Sequence, residues 1–305
     1  SRLWYEGRFT SEAAQTTLDQ SAYSRTSGYL NCLSYSSSFK TFTAWYGWVY
    51  RSFRESQIEA LERKTSLDET GQRFASTVAV VKTAVDALVR QATGWHSLEY
   101  SQRHDQQLVM WHDEFGVMPV EMLSDGLRNA IALVADLAFR AYKLNPHLGE
   151  EAARQTPGVA LIDEVDMFLH PSWQQTILGS LREAFPRVQF IVTTHSPQVL
   201  STVKRENIRV LGQDANRQFI AEPPLAMTYG ESSGDVLHSV MQVDPQPPVA
   251  ERDELNRLTE LVDQGLFDSG EAKNLFGRLQ NILGEQHPQL QRLQRSIRRQ
   301  EALKG

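Results

Sequence analysis

Two stretches near the start of the chain carry hydrophobic residues at helical spacing. Apolar residues recur every three or four positions in residues 46–64, among many charges, and the same pattern returns in residues 74–89. A stripe with this period lies on one side of a helix and needs an apolar surface to cover it. The sequence therefore predicts two amphipathic helices that pack together. The serine-rich residues 34–43 before them lack a clear period and predict a loop.

Farther along, short apolar runs alternate with stretches of helical spacing. A continuous apolar run at 159–162 and a largely apolar stretch at 188–192 predict strands that are buried on both faces of a parallel sheet. A helical pattern from Pro171 to Ala184 lies between them. The other predicted elements are strands at 98–100 and 107–111, a helix over 127–142 capped by Ser124, a helix over 197–203, and a hairpin of 208–211 with 218–220. This alternation of strands and helices predicts a wound α/β domain.

The pattern becomes helical again after residue 244. Residues 244–248, which contain three prolines, predict a stiff linker. Three amphipathic helical stretches follow it, at 251–264, 271–283 and 288–303. The last stretch is basic and would suit DNA or a partner protein, but acidic residues are interleaved between 271 and 301. This interleaving favours a solvated helix face.

Composition and charge exclude several classes of protein. The chain has 305 residues, of which 41% are hydrophobic and 22% are charged, so it can bury a core and is not disordered. A net charge of -6 argues against a global basic field for nucleic acid, although a local basic face is compatible with it. Cys32 is the only cysteine, which excludes a disulfide within one chain and suits a reducing cytosol. No apolar run approaches the roughly 20 residues of a membrane helix.

Two carboxylates follow the first buried strand. Asp163 and Glu164 emerge at its carboxyl end, where open α/β sheets bind their ligands. Adjacent acids are costly there unless a cation or a proton offsets their charge. In nucleoside-triphosphate hydrolases the first acid holds Mg²⁺, and the second orients or deprotonates the attacking water. The alternative is an acidic helix N-terminus, which favours carboxylates for its dipole.

Two further polar groups are candidates for the same site. His195 lies about thirty residues after Asp163, the usual length of one strand–helix–strand crossover, so it should lie beside Glu164 and could donate to a γ-phosphate. Its alternative role is structural, in a hydrogen bond to a loop. Ser124 and Gly126 open a helix and could bind an anion with a hydroxyl and backbone N–H groups. Their alternative role is that of a simple N-cap.

In this order, these elements resemble motifs of the ABC class of ATPases. The four matching segments are a signature motif at Leu123-Ser124-Asp125-Gly126, a Walker B motif at Leu161-Ile162-Asp163-Glu164, a D-loop region over 166–171, and a switch histidine in Thr194-His195-Ser196-Pro197. The amino-acid sequence of residues 156–174 and 185–201 is similar to that of the RecF/OLD-like ATPases of the SMC/RecF branch. That group includes the PtuA-like ATPases of Septu and some retron anti-phage systems.

The resemblance implies an ABC-type P-loop NTPase fold, with a wound, largely parallel sheet and an antiparallel portion. Residues 1–45 and 93–243 would belong to the ATPase core. Residues 46–92 would form a helical lid or arm, and residues 244–305 a C-terminal helical appendage. The implied protein is cytoplasmic and forms a head-to-head dimer or a higher oligomer.

The same resemblance implies roles for individual residues. Glu164 and His195 would be catalytic, and Asp163 would hold Mg²⁺. The residues implied to bind ATP, partly across the dimer, are Ser124, Asp125, Gly126, Asp166 and His170.

No metal-nuclease constellation is evident in the sequence, so we expect a separate partner, such as an HNH nuclease, to perform any cleavage. DNA is a possible further partner. Two alternatives stay open: a non-hydrolysing scaffold that senses nucleotide, and a RecF-like DNA-repair ATPase.

Two features depart from the family pattern. No glycine in the 305 residues is followed by lysine, so the phosphate-binding sequence G-x-x-x-x-G-K-[ST] is missing. Either that segment precedes residue 1 or the chain cannot bind ATP, and we expect the first. In addition, Phe168 occupies a position where related proteins often have histidine, which puts any role of that histidine in doubt.

Overall fold

The computed structural model describes residues 39–246 and 248–304. The chain divides into two compact units, one up to Val236 and one from Leu237 onward. A helix already begins at Phe39, so the last part of the predicted loop is helical. The rest of that loop lies outside the described residues.

The two predicted N-terminal helices are present and pack together. Helix α1 spans Phe39–Arg63 and helix α2 spans Glu69–Thr93, both longer than the sequence pattern predicted. Asp68 caps α2 by accepting a hydrogen bond from the Gly71 amide at 2.7 Å. Their buried side chains belong to one hydrophobic core with helix α3, Asp125–Leu144. A role for residues 46–92 as a lid stays a prediction.

A small antiparallel sheet connects α2 to α3. It has the order β1-β2-β3. The strands are β1 His96–Ser101, β2 Gln107–His112 and β3 Gly116–Pro119. The first two confirm the predicted strands, whereas β3 was not predicted. After β3, the 3₁₀ turn Val120–Met122 leads to Ser124, which is the N-cap of α3, as predicted.

The two apolar runs form the predicted parallel pair. Strands β4, Gly158–Ile162, and β5, Val188–Val192, align in parallel from their first to their last residues. The chain between them was predicted as one helix but forms two. Thr176 ends the first by donating its amide to the carbonyl of Trp173, three residues back instead of four. The helices are α4 Ala152–Gln155 before β4, α5 Pro171–Gln174 and α6 Ile177–Ala184 between the strands, and α7 Pro197–Leu200 after β5.

One face of the β4–β5 pair is open, which differs from the expectation of burial on both faces. Ala160 and Phe190 face the hydrophobic core, whereas Val159, Leu161 and Ile191 are 62%, 68% and 52% exposed. Side chains alternate between the two faces of a strand, so all three lie on the same outer face. Burial on both faces is therefore wrong for the part of the chain that the structure describes.

The remaining strands are antiparallel. β6, Val210–Gln213, and β7, Phe219–Glu222, form the predicted hairpin. Among the described residues, three of the four strand pairings are antiparallel and only β4–β5 is parallel. These residues therefore form a mixed α/β fold with three small sheets. They do not show one largely parallel sheet, because only the β4–β5 connection makes a parallel crossover.

The second unit is helical. After helix α8, Ser233–Ser239, come the three predicted helices. They are α9 Arg252–Asp263, α10 Gly270–Leu283 and α11 Pro288–Lys304. Their apolar stripes share a separate core that includes Leu258, Leu279 and Leu290, all nearly inaccessible to solvent. No helix within the described ranges is long and apolar enough to cross a membrane.

Candidate functional site

The carboxyl ends of β4 and β5 meet, as the sequence pattern predicted. The amide of Thr193, just after β5, donates to the carbonyl of Ile162 at 3.0 Å. The Thr193 hydroxyl then bridges to both acids after β4. It donates to the Asp163 carboxylate at 2.5 Å and accepts from the Glu164 amide at 2.8 Å. One hydroxyl therefore helps to orient the backbone of one acid and the side chain of the other.

The loop after these acids is attached to the end of β5 by a second threonine. The Thr194 hydroxyl donates to the Asp166 carboxylate. The amide of Val165 donates to the Thr193 carbonyl at 3.0 Å, so the contact includes the backbone. Glu164 and Phe168 have φ angles of 51° and 61°. Residues other than glycine adopt such angles only where their surroundings hold them.

A half-buried contact between a glutamine and a serine holds the same loop from its other side. The Gln174 amide nitrogen donates to the carbonyls of Leu169 at 3.0 Å and Asp166 at 3.3 Å. The Ser196 hydroxyl donates to the Gln174 amide oxygen at 2.7 Å. Ser196, which follows His195, also caps α7. Gln174 therefore connects the loop after β4 with the segment after β5.

The N-terminus of α3 lies against this loop. Gly126 is so close to the Phe168 backbone that a Cβ atom on it would be 2.3 Å from the Phe168 carbonyl oxygen. The Ser124 side chain is exposed and accepts from the Leu127 amide at 3.4 Å. Packing is one reason for a glycine here, since only a residue without a side chain fits. The predicted role of Ser124 and Gly126 in binding phosphate stays a prediction.

Asp125 and His170 have structural partners. Asp125 forms an ion pair with Arg128 on the same helix, and the Arg128 guanidinium also donates to the carbonyl of Glu121 at 2.9 Å. His170 caps α5, and its Nδ1 accepts from the Ser172 amide at 3.3 Å. An accepting Nδ1 leaves the proton of the neutral ring on Nε2. These local contacts give both residues a structural role. Their roles in binding ATP stay predictions.

The exposed side chains at the strand ends are the ones predicted to do chemistry. Asp163, Glu164 and His195 all follow the β4–β5 pair directly and are exposed to solvent. The structure therefore brings their backbone positions to one edge of this pair. Their roles as metal ligand, general base and switch histidine stay predictions.

The donor set at this edge fits Mg²⁺ in the way that nucleotide sites use it. No group of three or more potential metal-binding side chains occurs among the residues that the structure describes. Mg²⁺ in nucleotide sites needs only one or two carboxylates, because phosphate oxygens and waters complete its coordination. One oxygen of the Asp163 carboxylate accepts a hydrogen bond from the Thr193 hydroxyl. A single exposed, oriented carboxylate is compatible with such a site.

Thr193 and Gln174 were not found as important residues from the sequence. Both act through side chains that meet partners 22 to 30 positions away. The only signal was the hydroxyl-rich Thr193-Thr194 after a buried strand, since polar groups there lie at the ligand edge of the sheet. Gln174 lies inside a predicted amphipathic helix, where no local pattern distinguishes it.

Curated relatives confirm the resemblance to defence-associated ATPases. The chain is 38% identical over 156 residues to "Retron Vc95 probable ATPase" of Vibrio cholerae serotype O1 biovar El Tor, which covers 50% of this chain and 30% of the relative. It is 33% identical over 225 residues to "Retron Ec83 probable ATPase" of Escherichia coli, covering 72% of this chain and 39% of the relative. The chain thus spans less than half of either relative.

A Septu protein is also similar. The chain is 36% identical over 99 residues to "Septu protein PtuA" of Bacillus mycoides (strain KBAB4), which covers 32% of this chain and 13% of that protein. One family model matches residues 13–201, more than half of the chain, and this range includes α3, β4 and β5. The chain therefore belongs to the family described as "AAA domain, putative AbiEii toxin, Type IV TA system".

Proposed function

We propose that this chain is part of an ATP-hydrolysing protein of an anti-phage defence system. Asp163 would hold the Mg²⁺ of bound ATP, and Glu164 would orient or deprotonate the water that attacks the γ-phosphate. His195 would donate to an oxygen of that phosphate. Phosphoryl transfer needs mainly positioning and charge stabilisation, which is what residues at the ends of two paired strands provide.

The single observation that carries this proposal is the double contact of Thr193. Its hydroxyl reaches Asp163 at 2.5 Å and the amide of Glu164 at 2.8 Å, and His195 lies two residues farther along the same segment. Both acids are exposed and neither pairs with a basic side chain of the described residues, so their carboxylates are accessible to a cation. Mg²⁺ bound there would supply charge neutralisation for the phosphates.

A complete ATP site needs a phosphate-binding loop that the 305 residues do not contain. The two retron relatives match this chain over only 30% and 39% of their own lengths, so such proteins have room for it elsewhere. We infer that the loop is supplied by another part of the protein. The test below therefore uses the full-length protein.

We further propose that Ser124 contacts the ATP of a second subunit. Two large apolar side chains near the α3 N-terminus are exposed. One is near it in sequence, and the other belongs to a residue whose backbone contacts it. Met122, two residues before Ser124, is 73% exposed, and Phe168, whose backbone lies against Gly126, is 64% exposed. Exposed apolar residues beside a polar site are typical of an interface. A head-to-head dimer would cover them when ATP is bound.

The names of the relatives support the biological context. They include probable ATPases of retrons and PtuA proteins of Septu. We propose that the ATPase cycle of this protein controls a separate nuclease of the HNH type.

The test of ATP hydrolysis is steady-state phosphate release from the full-length protein carrying Glu164→Gln. We expect turnover to fall on the order of 10²–10⁴-fold if Glu164 is the general base, while ATP still binds. The matched control is Glu183→Gln, which changes an exposed glutamate on α6 and should keep wild-type turnover. Equal turnover in wild type and Glu164→Gln would contradict the assignment. Tight ATP binding without turnover in the wild type would favour a nucleotide-sensing scaffold.

The dimer is tested separately by light scattering of Glu164→Gln with and without ATP and Mg²⁺. We expect the mass to double when ATP is bound, because slow hydrolysis keeps the composite site occupied. Phe168→Asp should prevent this change without altering the mass of the nucleotide-free protein. An ATP-independent mass in all variants would contradict the composite site.

A further inference from the structure

Helix α11 has one face fixed against the core of the second unit. Leu290 and Leu293 are buried in that core, and Ile297 packs against it. The Gln300 side chain donates to the carbonyl of Val262, on α9, at 2.9 Å. These four contacts lie on one side of the helix, so they determine which residues face away.

The face that points away from the core carries a row of arginines. Four exposed arginines fall within an arc of about 120° at 3.6 residues per turn, namely Arg292, Arg295, Arg298 and Arg299. At a rise of about 1.5 Å per residue the row is roughly 10 Å long. No acidic residue of α11 lies within this arc, because Glu301, three residues after Arg298, lies outside it, and Glu271 and Glu285 precede the helix. The acids that are interleaved in the sequence form no ion pair with these arginines.

These arginines differ from the other basic side chains of the same unit. The remaining described arginines and lysines of residues 237–303 each form an ion pair with a carboxylate, in the pairs Arg252–Asp244, Arg257–Glu271, Lys273–Asp268 and Arg278–Glu254. None of the four arginines on α11 pairs with a carboxylate of the described residues. The unpaired positive charge of this unit is thus concentrated on one helix face.

The four clustered arginines repel one another, and a bound anion would reduce the effect of this repulsion. Arg295 lies three residues from both Arg292 and Arg298 and four from Arg299. Like charges at these spacings destabilise a helix. The chain as a whole carries a net charge of -6, so a general excess of basic residues does not explain the row. A bound row of negative charges would offset this repulsion.

We propose that the arginine face of α11 binds the phosphodiester backbone of a nucleic acid. A guanidinium group binds a phosphate through two parallel hydrogen bonds, and here all four basic groups are arginine. Duplex DNA presents one charge per about 1.7 Å of its axis, so a length of about 10 Å offers roughly six phosphates to four arginines.

The chemistry of the face favours nucleic acid over an acidic protein. Gln291 lies at the start of the arginine row, where its side-chain amide donates to the Gln286 amide oxygen at 2.7 Å and adds a neutral polar group to the face. No large apolar side chain lies within the arc, whereas the centre of a protein–protein interface is typically apolar or aromatic. Backbone binding needs only charge and hydrogen-bond donors, and this face provides both.

The test compares two triple variants of the full-length protein, without nucleotide, by fluorescence anisotropy with a labelled mixed-sequence DNA duplex of about 20 base pairs. The first variant is Arg292→Gln/Arg295→Gln/Arg299→Gln. The control, Arg103→Gln/Arg182→Gln/Arg187→Gln, removes the same charge from exposed arginines of the first unit that form no ion pair with described residues. Glutamine and arginine have similar helix propensities, so α11 should persist in circular dichroism.

We expect the α11 variant to bind at least about tenfold more weakly, with a salt dependence of log K that is shallower by about two to three units. The control should bind within about twofold of the wild type. The same loss in both variants, or wild-type binding by the α11 variant, would overturn the proposal. Polyglutamate that displaces the duplex as effectively as unlabelled DNA would overturn the assignment to nucleic acid and favour an acidic protein.

Discussion

The Thr193 hydroxyl is hydrogen-bonded to the Asp163 carboxylate at 2.5 Å across the ends of two neighbouring parallel strands. The same oxygen accepts from the amide of Glu164, whose φ angle of 51° is unusual for a residue with a side chain. The threonine therefore links the orientation of the proposed Mg²⁺ ligand to the backbone conformation of the proposed general base. Groups that orient a metal ligand raise the affinity of the site for the metal.

Removing this hydroxyl should weaken the binding of Mg²⁺ at the proposed site. In the full-length protein, we expect Thr193→Ala to raise the Mg²⁺ concentration needed for half-maximal ATP turnover by about 10–100-fold, since Asp163 loses its orienting bond. Thr193→Ser keeps a hydroxyl at the same position and should restore the wild-type midpoint. A Mg²⁺ midpoint that is unchanged in Thr193→Ala would show that the contact does not position Asp163.

The second prediction concerns Gln174, which bonds to the carbonyls of Leu169 and Asp166 and to the buried Ser196. Gln174→Ala removes three hydrogen bonds and leaves the Ser196 hydroxyl without its acceptor. We expect a loss of about 1–3 kcal/mol in the free energy of unfolding. We also expect faster hydrogen exchange of the loop 165–170, where the Leu169 amide donates to the Asp166 carbonyl.

Gln175→Ala is the matched control, because Gln175 is exposed and makes no side-chain hydrogen bond with described residues. It should leave both the unfolding free energy and the exchange rates close to those of the wild type. If the two alanine variants exchange alike, Gln174 does not hold the loop.

The third prediction concerns whether Gly126→Ala raises or lowers the free energy of unfolding. In a helix, replacing glycine by alanine normally stabilises by about 1 kcal/mol. Here the new Cβ would be 2.3 Å from the Phe168 carbonyl oxygen, so the loop or the helix has to move. We expect Gly126→Ala to destabilise by about 1–3 kcal/mol in chemical denaturation, as overpacking does. The opposite sign would show that α3 and the loop are not in close contact.

A glycine elsewhere provides the comparison. Gly277 lies within α10, and a Cβ atom on it would meet no other atom within 4 Å. Gly277→Ala should therefore stabilise its helix by the ordinary propensity difference. A loss of stability at Gly126 together with a gain at Gly277 isolates the effect of the contact with Phe168.

The sequence pattern predicted most elements because their signals are local. The helical spacing before α3, the cap at Ser124 and the three C-terminal helices depend on neighbouring residues, and the structure contains all of them. The parallel pairing of β4 and β5 was also predictable, since two apolar runs flank a helical stretch of crossover length. The position of the acid pair at the strand end followed from the same reasoning.

What the sequence did not predict depends on tertiary contacts. The turn at Thr176, which divides the predicted helix, lies in a stretch whose residues are all compatible with a continuous helix. Strand β3 is only four residues long and pairs with β2 through its backbone, so its sequence carries little signal. The bond between Gln174 and Ser196 joins residues 22 positions apart, and a local pattern cannot reveal it.

The last prediction concerns the open face of the β4–β5 pair, where Leu161 is 68% exposed among the described residues. Parallel sheets are normally covered on both faces, and an outer face with Val159, Leu161 and Ile191 is suited to burial. We expect that another part of the full-length protein covers it. Leu161→Asp would then bury a charge and should lower the free energy of unfolding by several kcal/mol. Leu61→Asp, at an exposed apolar position on α1, is the control and should change it by less than about 1 kcal/mol. Equal, small effects of the two substitutions on urea denaturation would show that the face of β4 is open to solvent in the whole protein.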